Sequence, residues 1–162
     1  MTYKFQQFIV LLVLLLVLIA CSDNDDTTVD VPPEIISNSL GFFDGTVTDQ
    51  GLESENGIEV WEIEIQNPEG AIVRFYWAVD NQTLVKLEGD RGPYTYEINP
   101  GGGLINFTTA RTFAVSAVKN DSLLAWELKQ NEEFANGWVY EFEIADSMDD
   151  TTVYIDAVNG NV

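Results

Sequence analysis

Val60-Trp61-Glu62-Ile63-Glu64-Ile65 and Val139-Tyr140-Glu141-Phe142-Glu143-Ile144 agree position by position in residue class. Alternation with a period of two marks a strand with one buried and one solvated face. It predicts that Trp61, Ile63 and Ile65 point inward, as do Tyr140, Phe142 and Ile144, while Glu62, Glu64, Glu141 and Glu143 are exposed. Each block follows an Asn-Gly pair, Asn56-Gly57 or Asn136-Gly137, which is a hairpin signal. Each leads into a further strand ending in Asp, at Asp80 and Asp156. The chain therefore reads as an internal repeat.

The flanks of the first block extend the pattern. Pro33 to Phe43 reads as a short helix, with Pro33 in its first turn and Glu34 near the positive end of its dipole. Ile35, Ile36, Leu40 and Phe43 would share one side. Thr46 to Glu53 is a weakly alternating strand. Ile72 to Asp80 puts Val73, Phe75, Trp77 and Val79 inward against Arg74, Tyr76 and Ala78. Thr83 to Leu87 offers a further strand.

The second block has similar flanks. Thr108 to Lys119 reads as a helix capped by Thr108 or Thr109, with Ala110, Phe113, Ala114 and Ala117 as its buried stripe. Leu123 to Gln130 is a strand with Leu124, Trp126 and Leu128 on one face, and Thr152 to Asp156 is the last strand. Asp90-Arg91-Gly92-Pro93 and Pro100-Gly101-Gly102-Gly103 bracket a linker, with Tyr94 to Ile98 as an edge strand and the glycine run as a hinge. The fold class is α+β: two repeated units, each one helix on a three- to four-stranded antiparallel sheet. Residues 33–90 form the first unit, 91–107 the linker and 108–162 the second unit. A unit of about 55 residues buries too little surface to be robust alone, so the two would share a sheet or pack together.

Composition limits the function. The 162 residues are 46% hydrophobic, ample for a packed core, and carry 27 acidic against 7 basic side chains, a net charge of -20. Such a surface repels phosphate backbones and anionic lipid headgroups, which excludes nucleic acid as a partner. The chain has no His, which removes Ser-His-Asp and Cys-His catalysis and histidine metal sites. One Cys forbids an intrachain disulfide.

The N-terminus reads as a targeting segment. Phe8 to Ala20 is an unbroken apolar run, too short to span a bilayer comfortably and suited to a signal peptide over residues 1–20. It ends in Leu18-Ile19-Ala20-Cys21, which resembles the bacterial lipobox and falls on the chain's sole Cys. The resemblance implies cleavage before Cys21 and acylation of its thiol with diacylglycerol, further fatty-acyl chains such as palmitate making the anchor stable. Residues 21–32 form an acidic tether beginning Ser22-Asp23-Asn24-Asp25-Asp26, similar to a signal for surface export in some diderm bacteria. The expected location is the outer membrane of such a bacterium, held by the lipid alone, with cell-surface and periplasm-facing orientations both open.

Tyr140-Glu141-Phe142-Glu143-Ile144, followed by Val153-Tyr154-Ile155-Asp156-Ala157-Val158-Asn159-Gly160-Asn161-Val162, resembles the closing hairpin of PepSY domains. There a YEVEI strand leads to YVDA-x-x-G-x-V. The helix Thr108 to Lys119 stands where that family has its Ala-rich helix. Pro33 to Leu87 resembles the divergent PepSY-like form, also described as β-lactamase-inhibitor-like. The resemblance implies a non-catalytic module of protease propeptides and exported bacterial proteins. Inhibitors that share the tandem architecture bind their target through the sheet face.

Glu62/Glu64 and Glu141/Glu143 stand about 7 Å apart by strand geometry, within the range of an inverting glycosidase pair. On an open, solvated face nothing would set one pKa above its neighbour, so acid-base use is disfavoured. Asp146, Asp149 and Asp150 cluster in one loop and Asp23, Asp25 and Asp26 in another, but neither has EF-hand spacing. Gly101-Gly102-Gly103 lacks the Lys of a phosphate loop. Trp61, Trp77 and Trp126 read as core, and Trp138 as core or rim. No catalytic residue, metal site or cofactor is expected. Arg74, Tyr76 and Tyr154, with Glu62 and Glu141 nearby, would place aromatic and charged groups on the open face, the composition of a protein-binding surface. The expected function is a non-catalytic, lipid-anchored envelope protein that binds a protein partner, such as a secreted hydrolase or peptidase, which it would inhibit or modulate. The alternative is a structural or stress-related envelope lipoprotein without a discrete ligand.

Overall fold

Pro32 and Pro33 open the first helix, where a missing backbone N–H has no intrahelical partner to lose. A computed structural model describes residues 30–131, 133–134, 137–145 and 149–162. Helix α1 (Pro33–Phe42) buries Ile35 and Ser39, with Phe43 just beyond its end. The stripe thus runs i, i+4, i+8, and Leu40, expected inward, is exposed. Ser39 replaces it in the interior because its hydroxyl is satisfied twice. Its Oγ donates to the Ile35 carbonyl at 2.9 Å and accepts from Trp77 Nε1 at 2.9 Å.

Seven strands and a second helix follow α1. The strands are β1 (Thr46–Glu55), β2 (Ile58–Gln66), β3 (Ile72–Ala78), β4 (Leu84–Arg91), β5 (Leu123–Gln130), β6 (Trp138–Ile144) and β7 (Thr151–Asp156). All pair antiparallel in chain order, so the two halves share one sheet through β4 and β5. Helix α2 (Phe107–Val118) lies between those two strands in sequence. It is capped by Asn106, upstream of both Thr108 and Thr109: Asn106 Oδ1 accepts from the Thr109 N–H at 2.8 Å. Its buried stripe is Phe107, Ala110 and Ala114, while Phe113 and Ala117, expected inward, are exposed. Phe113 instead lies over the C-terminal turn, where a Cβ on Gly160 (φ 76°) would collide with its ring.

Both helices cover the same face. Directly opposed residues build the core beneath them: Trp61 with Trp77, Ile63 with Phe75, Leu87 with Leu128, Leu128 with Tyr140, and Phe142 with Val153. Leu124, expected beside Trp126 and Leu128, is exposed, because the β5–β6 register shifts between Leu123 and Ala125 and takes it out of phase.

The segment read as an edge strand does not join the sheet. Residues 93–100 have no strand partner, yet Ile98 is buried. The Tyr96 ring stacks on Phe107 at 5.1 Å and its hydroxyl accepts from Trp126 Nε1 at 2.8 Å. The Phe107 N–H donates to the Ile98 carbonyl at 3.0 Å. Gly89 makes the close approach possible, since a Cβ there would strike both Trp126 and Tyr96. The segment is thus part of the layer that covers the sheet. No helix among the described residues is long and apolar enough to cross a membrane.

Candidate functional site

The face of the sheet away from the helices carries the charged positions of the alternating strands. Two rows of directly opposed residues cross it. One runs Glu64, Arg74, Glu88, Glu127, Glu141 and Tyr154. The other begins Glu62, Tyr76, Lys86 and Lys129 and ends on Val139 and Asp156.

Opposed charges on neighbouring strands couple these rows into a lattice. Arg74 reaches four carboxylates: Glu62 at 3.3 Å, Glu64 at 2.9 Å, Glu88 at 3.0 Å and Asp90 at 2.7 Å. Glu88 also holds Lys86 at 2.8 Å, and Lys86 reaches Glu55 at 3.3 Å. Further along, Lys129 bridges Glu127 at 2.6 Å and Glu141 at 2.5 Å. Three cations serve seven carboxylates here, so the lattice remains anionic.

The Lys86–Glu55 pair reveals the shape. In a flat sheet β1 and β4 stand about 14 Å apart, three strand spacings. Glu55 also lies four residues beyond Gly51, which faces Glu62 at the start of the second row. Side-chain reach does not cover that diagonal. The twisted β1–β2 hairpin must curl over the outer face to close it. The curl explains why Val60, Tyr76 and Ala78 are buried although they point away from the helices.

This corrects the expected recognition surface. Tyr76 is 7% exposed, with Lys86 Nζ 4.3 Å above its ring. Burial, with the charges of Glu88 and Glu62, pushes its phenol far above its usual range. Arg74 is enclosed by its four carboxylates. Burial alone would lower its pKa, but hydrogen bonds to Asp90, Glu88 and Glu64 outweigh that and raise it. Lys86 and Lys129 are raised by the same balance, burial against carboxylate partners. Glu62 and Glu64 are half-buried, not exposed, and so is Glu141; only Glu143 is fully open. Glu62 does sit above the ordinary carboxylate range: burial raises it, Arg74 opposes, and Glu53, Glu88 and Asp49 add to the rise.

The expected residues fall into two groups. Glu62, Arg74 and Tyr76 form one cluster on β2 and β3. Tyr154 and Glu141 form another on β6 and β7, where the Tyr154 hydroxyl donates to Glu141 Oε1 at 3.4 Å. Tyr154 remains 42% exposed and is the one aromatic of the expected set open to solvent. Lys86, Glu88, Glu127 and Lys129 were missed. The signal was present: Lys86 and Glu88 alternate with Leu87, but only in a strand extended past Leu87 to Arg91. Cys21 and Asp146 lie outside the described residues. Among the described residues no three Asp, Glu, Cys or His side chains are placed to hold a metal. On the helix side, Ser37, Asn38, Gly41, Phe42, Trp77 and Asn99 line a shallow groove.

Residues 104–162 match the PepSY family, described as "Peptidase propeptide and YPEB domain". That stretch holds α2 and β5 to β7, so the C-terminal part of the chain is a PepSY-like unit. The chain is also similar to a crystal structure described as "a putative lipoprotein" from Clostridium difficile 630. The two share 12% identity, with 79% of this chain and 84% of that one covered, at a TM-score of 0.37. No curated protein matches the chain in sequence.

Proposed function

We propose that this is a non-catalytic, lipid-anchored envelope protein that binds a protein partner through the outer face of its sheet, with a secreted hydrolase or peptidase as the partner class. The PepSY match over residues 104–162 supports the class, and the Leu18-Ile19-Ala20-Cys21 motif supports acylation at Cys21 and an outer-membrane location. The observation that carries the binding reading is the solvent-open Tyr154 beside an anionic lattice, a hot-spot residue type in a field that attracts a basic patch. The site is thereby centred on Tyr154, Glu141 and Lys129.

We also propose that residues 33–90 are a divergent second copy of the C-terminal unit. The repeated blocks support this, because each pairs with its following strand in the same way: Trp61 with Trp77 and Ile63 with Phe75, Tyr140 with Ile155 and Phe142 with Val153. On this reading β4 is the additional strand that joins the copies.

Cross-linking and co-purification from envelope extracts test the binding. A stoichiometric partner is expected, and Tyr154→Ala should weaken it by about 1–2 kcal/mol, the effect of an aromatic hot spot. Capture at wild-type strength by Tyr154→Ala would remove the face from consideration. Cys21→Ser should abolish detergent-phase partitioning. The alternative, a structural envelope lipoprotein, is favoured by one observation: the Arg74 cluster is satisfied within the chain, as a purely stabilising face would be.

A further inference from the structure

β1 is ten residues long and borders the sheet: β2 pairs with one side of it, and among the described residues no strand pairs with the other. The hairpin sets its parity. A two-residue Asn56-Gly57 turn makes Glu55 and Ile58 the hydrogen-bonded pair next to the loop, so Glu53 and Gly51 also turn their N–H and C=O groups to β2. Gln50, Leu52 and Ser54 turn theirs away from the sheet. The Gln50 N–H is met at 2.8 Å by Asp49 Oδ1, as suits a donor pointing off the edge.

Natural sheets blunt their edges with Lys, Pro or a bulge. β1 contains neither Lys nor Pro, and its one irregularity, between Val47 and Asp49, lies before Gln50. What guards it is charge of one sign. Asp49, Glu53 and Glu55 would repel the same residues of a second copy, and the acidic Ser22–Asp26 tether would be repelled as well. A cationic strand would be attracted.

The edge also has a place for the cation. Gly51 points to the outer face between Asp49 and Glu53, and a Cβ built on it meets nothing within 4 Å. Across from Gly51 is Glu62, which shares Arg74 with three other carboxylates. On the opposite face Leu52 is 41% exposed beside Trp61.

We infer that the Gln50–Ser54 edge of β1 docks an extended, cationic segment of a partner protein by strand addition, with a Lys or Arg over Gly51 and an apolar residue beside Leu52. The main chain would supply affinity and the alternating side chains specificity. This site is separate from the Tyr154 face and can be broken independently of it.

The test uses the full-length chain in detergent at low ionic strength. The probes are fluorescein-labelled acetyl-Thr-Lys-Val-Lys-Val-Lys-Thr-amide and its counterpart with Glu for each Lys. The Lys peptide is expected to bind by anisotropy and to slow amide exchange within residues 50–54, while the Glu peptide does neither. Leu52→Pro deletes an outward N–H and leaves the Gly51 and Glu53 bonds to β2 in place. Gly51→Val fills the open space. Leu52→Pro should weaken binding about tenfold, the cost of one lost backbone bond with its partner left unpaired, and Gly51→Val should weaken it about as much by occupying the place of the cation. Tyr154→Ala should bind the peptide as wild type does. No binding, binding without protection at 50–54, or unchanged binding by Gly51→Val would overturn the proposal. So would an equal loss in Tyr154→Ala, which would assign the peptide to the face. Gly51→Val carries the test alone if Leu52→Pro fails to fold.

Discussion

β1 and β5 occupy corresponding places, each the strand before a repeated block, and they end in opposite environments. Gln50 faces Ile63 as Trp126 faces Phe142, and Leu52 faces Trp61 as Leu128 faces Tyr140. Yet Trp126 and Leu128 are fully buried, whereas Leu52 is 41% exposed. The difference is neighbours. β5 has β4 on its other side and the Tyr94–Ile98 segment above it; among the described residues β1 has β2 alone. A strand's burial is set by what lies beside and above it, so the same pairing yields a core strand in one half and an open edge in the other.

The largest test of this contrast is a pair of truncations. Trp126→Ala should cost about 3–5 kcal/mol, the usual penalty for a buried large aromatic, and it strips Tyr96 of its donor. Gln50→Ala, at the matching position, should stay within about 0.5 kcal/mol. Denaturant midpoints of the two variants measure both. Equal shifts would break the comparison.

The ion pairs give the next contrast. Arg74 pairs with four carboxylates and is 22% exposed, while Lys129 pairs with two and is 32% exposed. Arg74→Met should cost about 1–3 kcal/mol, because it leaves like charges crowded and partly desolvated. Lys129→Met should cost under about 1 kcal/mol, as exposed pairs do. High salt should recover more of the Arg74→Met loss than of the Lys129→Met loss, and urea titrations at two ionic strengths would check it.

The smallest effect concerns Glu62. Its folded pKa lies above the unfolded value, so between the two values the folded chain holds a proton that the unfolded chain has lost. Stability therefore falls as pH rises through that window, and the cost is fully present above it. Glu62→Gln removes the titration. Relative to wild type the variant should gain stability as pH rises through the window, with the difference constant above it. Stability curves from acid to neutral pH would read this out, and parallel curves for the two proteins would contradict it.

By itself the sequence determined the α+β class, both helices and all seven strands, β4 only as far as Leu87, because period-two and period-3.6 patterns report which face of each element is buried. It also determined the inward set of Trp61, Ile63, Ile65, Tyr140, Phe142 and Ile144, each dictated by local alternation. Tertiary structure decided the rest. The Tyr94–Ile98 segment reads as a strand because it alternates aromatic and polar residues, but its aromatic groups close over Trp126 instead of joining the sheet. Leu124 and Phe113 fit their stripes on paper, and a register shift and a helix phase offset turned them out. Tyr76 and Arg74 alternate away from the helices, as expected, yet the hairpin that curls above one and the four carboxylates that converge on the other withdraw both from solvent. Those contacts come from strands far apart in the chain, so no local pattern could have announced them.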